Sequence, residues 1–100
     1  MSETLSAAAC TTMAEVRAAI DALDERIVTL LGERMRYMDA AARIKPTRGA
    51  VRDEPRKAQV IENAAAVAER VGFPVELVRA LYEQLVEGSI AYELDRFDAR

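Results

Sequence analysis

The chain has no histidine and one cysteine, Cys10, and these two gaps remove whole classes of chemistry. No intrachain disulfide can form, and zinc constellations and histidine-based triads lack their ligands and base. Carboxylates alone could hold magnesium, but no set of them clusters along the sequence, so no metal site is expected. Aromatics are few, at 5% of residues, while apolar residues make up 51%, so the core must be built from aliphatic side chains and alanine. A net charge of −3 leaves no concentrated basic surface and argues against nucleic acid as a partner. Nothing approaches the roughly eighteen consecutive apolar residues of a membrane span. The short apolar segment Leu5 to Cys10 also lacks the basic flank of a secretory signal. The expected setting is cytoplasmic and reducing, with no membrane partner.

What the sequence does have is a long helical stripe. Val16, Ile20, Leu23, Ile27, Leu30, Leu31, Met38, Ala41 and Ile44 recur at spacings of three and four, which places them on one face of an α-helix. Thr12 followed by Glu15 is a capping-box pattern, so the helix is expected to start near Met13. It should end near Lys45, because Pro46 disfavours helical geometry in the residue before it. At about 1.5 Å per residue such a helix is about 50 Å long, longer than a domain of this size is wide. It is expected to project from its own protomer and to need a partner.

Three cations interrupt that stripe: Arg17, Arg34 and Lys45. Arg34 and Lys45 are eleven residues apart, about three turns, so they share a face roughly 16 Å apart and could grip one small anion between them. Arg17 lies about 25 Å below Arg34 on the helix and cannot join them from the same chain. It could do so from an antiparallel second copy. Taken singly, each cation also has an ordinary reading. Arg17 could pair with Asp21 four residues on, Arg34 could lie at a seam between protomers, and Lys45 could be a cation favoured at a helix C-terminus.

Asp53 is a plausible N-cap for a second helix from about Glu54 to Val71, with Val60, Ile61, Ala64, Ala68 and Val71 as its stripe. Gly72 and Pro74 form a short corner into a third helix, which carries Leu77, Val78, Leu81, Leu85, Ile90, Leu94 and Phe97 almost to the end. Strand alternation is absent, so the class is all-α, a three-helix protomer with a long first helix. Residues 1–12 are expected to be a flexible arm and 13–98 a single helical domain. Ser89 and Glu93, four apart, share one face of the third helix. They are either a solvated polar stripe or, since Leu85 precedes them on that face, a stripe turning inward.

Several segments, in register and with matching separations, resemble the small all-helical chorismate mutases, a family that includes the isochorismate pyruvate lyases. The carriers are Val16 to Asp24, the Glu33-Arg34-Met35 step, Lys45, Val51-Arg52-Asp53 with Arg56, and Glu87 to Glu93. The resemblance implies an intertwined helical homodimer with two active sites, each walled by both chains, and no cofactor. Arg34 would bind one substrate carboxylate and Arg17 of the other subunit a carboxylate in the same pocket. Lys45 would contact a carboxylate and the ether oxygen of the breaking bond. Arg56 and Ser89 would supply supporting polar contacts, and Asp53 would lie near the ring hydroxyl. Glu93 stands where many bacterial relatives have a glutamine bonded to the ether oxygen.

The implied reaction is conversion of a dianion, chorismate, to prephenate by a concerted rearrangement. Such a step has no covalent intermediate and depends on conformation and electrostatics. One departure bears on the substrate. Many bacterial mutases have a glutamate after the arginine matching Arg56, where it recognises the ring hydroxyl, and here Lys57 occupies that place. The pyruvate lyases also lack that acid, and Arg34 to Arg43 resembles their version of the first helix. Isochorismate pyruvate lyase and 4-amino-4-deoxychorismate mutase are therefore the alternatives among enzymes. A non-catalytic helical dimerisation module is the alternative outside them.

Overall fold

In a computed structural model, which describes residues 5–100, the chain is all-α. Helices α1 (Met13–Ile44), α2 (Glu54–Val71) and α3 (Val75–Ala99) account for most of it, with no strand among the described residues. The first four residues of the expected arm lie outside the described residues. The arm is not wholly irregular, since Ala7–Ala9 form one 3-10 turn, and a second such turn, Arg48–Ala50, lies in the loop after α1.

Local chemistry sets the helix ends. Glu15 Oε1 accepts from the amides of Thr11 and Thr12, both at 3.0 Å, while the Glu15 amide donates to Thr12 Oγ1 at 3.2 Å. This reciprocal cap satisfies donors that the first turn leaves open. The same bonds, that from the Thr11 amide foremost, hold the Glu15 carboxyl below its ordinary range. At the other end α1 stops at Ile44, though the Lys45 amide still donates to Ala41 O at 2.9 Å. Asp53 Oδ1 accepts from the Arg56 amide at 3.0 Å and caps α2. Gly72 closes α2 in the left-handed region at φ 79°, where a residue lacking Cβ is favoured.

The chain falls into two compact units, one ending at Arg36 and the other running Tyr37–Arg100. In the second unit the core is Val51, Val86 and Ile90, with Val60, Leu94 and Phe97 packed against it. The buried side of α3 differs in part from the expected one. Leu77 and Leu81 are about half exposed, and burial follows Val86, Ser89, Ile90 and Glu93. Apolar residues occupy more than one side of α3, so spacing alone does not choose the face. In the first unit the α1 stripe is open: Ile20 is 48% exposed, Leu23 50%, Ile27 52% and Leu30 61%.

Candidate active site

Lys45 and Glu93 meet at the end of α1. The Lys45 ammonium donates to Glu93 Oε2 at 2.6 Å, with the glutamate side chain 5% exposed and the lysine 29%. Glu93 is turned inward because it follows Ser89 and Ile90 on the buried face of α3. A charge so enclosed needs a partner, since removing one member of a buried pair leaves the other uncompensated. The stripe of Ser89 and Glu93 is thus buried, and the solvated alternative is overturned. Ser89 Oγ donates to Leu85 O at 2.7 Å, a bond within its own helix.

Lys45 does not act as the helix cap that a lysine at this position suggests. Its side chain goes to Glu93, and the carbonyls at the end of α1 are taken by Arg100, a residue that no sequence pattern singles out. Arg100 Nη1 donates to Ala42 O at 3.1 Å, Arg43 O at 3.4 Å and Lys45 O at 2.7 Å.

The loop that follows is tied to α3 by ion pairs. Arg48 donates to both carboxylate oxygens of Asp98, at 2.9 and 3.3 Å, and Arg52 to both of Glu87, at 2.9 and 3.1 Å. Lys57 reaches Glu83 at 2.7 Å and Glu87 at 2.9 Å. The hydrogen bonds from Arg52, and then from Lys57, pull the Glu87 carboxyl from its ordinary 4.5 to about 2. Glu83 foremost, then Glu87, raises the Lys57 ammonium. Lys57 therefore forms part of an ionic tie between α2 and α3.

The remaining expected residues are distributed as follows. Asp53 and Arg56 lie at the start of α2, Asp53 as its cap and Arg56 with its guanidinium on Gln59 Oε1 at 2.6 Å. Neither is hydrogen-bonded or ion-paired to Lys45 or Glu93. Arg17 and Arg34 belong to the first unit, Arg17 exposed and Arg34 half-buried. No ion pair joins Arg17 to Asp21 among the described residues. Beside the site, Tyr92 Oη donates to Asp39 at 2.8 Å, and Arg96 Nε donates to Tyr92 Oη at 3.1 Å. Sequence reasoning missed Arg52 and Glu87 as a pair, and Asp39 with Tyr92. Only contact across the fold brings these residues together.

Among the described residues no group of acidic, cysteine or histidine side chains could hold a metal ion, and no helix is long and apolar enough to cross a membrane. The pair of Lys45 and Glu93 offers a substrate a cation and, when the carboxyl is protonated, a hydrogen-bond donor. In comparisons with known proteins, a family model described as chorismate mutase type II matches residues 16–94. An isochorismate pyruvate lyase of Pseudomonas aeruginosa is 36% identical over 85 residues, covering 85% of this chain and 84% of that protein.

Proposed function

The chain belongs to the type II chorismate mutase family, and from that premise we propose that it converts chorismate to prephenate. The observation that carries the reading is the buried contact of Lys45 with Glu93, a cation fixed beside a group that donates when protonated. The reaction needs no nucleophile. It needs a dianion held in its reactive shape and stabilisation of the charge that builds on the ether oxygen as the bond breaks. Lys45 faces that oxygen and a carboxylate, and Arg34 binds a carboxylate. Arg17 reaches the same substrate from a second copy of the chain, so the working protein is a homodimer with composite sites. Ser89, Asp53 and Arg56 give supporting contacts. Glu93, the ion-pair partner of Lys45 in this structure, donates to the ether oxygen only when it carries a proton, because a carboxylate would repel the developing charge.

A second reading is elimination of pyruvate from isochorismate by the same cations. Two observations favour it: the 36% identity to a protein described as an isochorismate pyruvate lyase, and Lys57 where many bacterial mutases have an acid. Separate incubation with chorismate, isochorismate and 4-amino-4-deoxychorismate, followed by product analysis, tests both. Prephenate from chorismate at the highest rate supports the mutase, whereas pyruvate from isochorismate as the dominant product replaces it with the lyase. Inertness toward all three would leave a dimerisation module.

A further inference from the structure

Lys45 is the first residue beyond α1: its amide still closes the helical ladder onto Ala41 O, but its own carbonyl lies past the ladder and Pro46 follows, at the point where its side chain must be held most firmly. The last carbonyls of an α-helix have no partners within the helix. Here Ala42 O, Arg43 O and Lys45 O all converge on Arg100 Nη1. The guanidinium is itself fixed from below, with its central carbon 3.7 Å from the centroid of the Phe97 ring. Phe97 packs against the Val51, Val86 and Ile90 core. A cation at this end of a helix also opposes the negative pole of its dipole.

From this geometry we propose that Arg100 is a positioning residue for Lys45. It pins the backbone on both sides of the helix end, and so sets the point from which the Lys45 ammonium reaches toward Glu93 and the substrate. Arg100 need not touch substrate to do this. The kinetic part of the proposal rests on the function proposed above, and the structural part does not.

The test compares wild type with Arg100→Ala and Arg100→Lys, each also made in a Lys45→Ala background. Three quantities are read: turnover of the substrate found by product analysis, hydrogen exchange at the Lys45 amide, and thermal melting. Misplacing a reacting group by about 1 Å can cost about 100-fold, so Arg100→Ala is expected to lower kcat by about 10-fold to 100-fold with a smaller change in KM. The Lys45 amide, bonded to Ala41 O at 2.9 Å, should exchange faster, while core amides of α3 keep their protection. In the Lys45→Ala background the same substitution should leave the residual rate unchanged. Arg100→Lys keeps the charge and should recover part of the loss; it also serves as the reporter if the alanine variant does not fold.

An equal loss of kcat in both backgrounds would make Arg100 a purely structural residue and overturn the proposal. So would unchanged exchange at Lys45, or unchanged turnover in an otherwise active protein. If wild type turns over none of the three substrates, the proposed function fails, and the exchange measurement still decides whether Arg100 clamps the helix end.

Discussion

Glu93 sits where a charge needs a partner, and the partner it has, Lys45, is the group a dianionic substrate also requires. Substrate and glutamate therefore compete for one ammonium. Lys45→Ala should lower turnover by about 100-fold to 1000-fold, the usual effect of removing one preorganised donor, and should also lower the melting temperature, because it leaves the enclosed Glu93 without its partner. Glu93→Gln should have two effects. It removes the internal competitor, so a dianionic substrate analogue should bind about 10-fold tighter by titration calorimetry, in line with the ~1.5 kcal/mol of a hydrogen bond to a charged group. It also places an amide donor where the wild type holds a carboxylate paired with Lys45, so kcat of the variant should exceed that of the wild type. An unchanged or lower kcat would remove Glu93 from the reacting oxygen.

Among the elements, the loop between α1 and α2 is held to α3 by charge rather than by apolar packing alone, and Glu87 is the shared anchor for Arg52 and Lys57. Its carboxyl is depressed to about 2 in the folded protein from an ordinary 4.5. Between those values the unfolded chain binds the proton and the folded one does not, so stability must rise with pH there. The contribution is present above about 4.5 and is lost as pH falls toward 2. Glu87→Gln should flatten that limb of an acid denaturation curve and leave the plateau near pH 7 lower than wild type. The start of α1 and both ends of α2 were legible in the sequence because caps are local: Thr12 with Glu15, Asp53 with the Arg56 amide, and Gly72 each act within a few residues. The Lys45 and Glu93 pair could be anticipated only through the family register. Arg100 and the Glu87 anchor could not, since their partners are 30 to 58 residues away in sequence and a lone arginine reads as surface charge.

For the whole molecule, the decisive feature is the open aliphatic stripe of α1, with Ile20, Leu23, Ile27 and Leu30 each about half exposed or more. Large contiguous apolar exposure is unusual for a protein that works alone. In the proposed homodimer this stripe is covered and Arg17 is carried to the second copy's site. Arg17→Ala and Arg34→Ala should each be nearly inactive, while mixing the two under exchanging conditions should regain activity, since one site of each mixed dimer then carries neither change. No recovery on mixing would count against shared sites. The aliphatic character of the stripe has a thermal consequence as well. Apolar association carries a negative heat-capacity change and weakens on cooling, so a pair joined in this way should loosen toward 0 °C. Dilute protein kept on ice would then lose its composite sites by dissociation and recover them on warming, a reversible cold inactivation set by concentration rather than by unfolding.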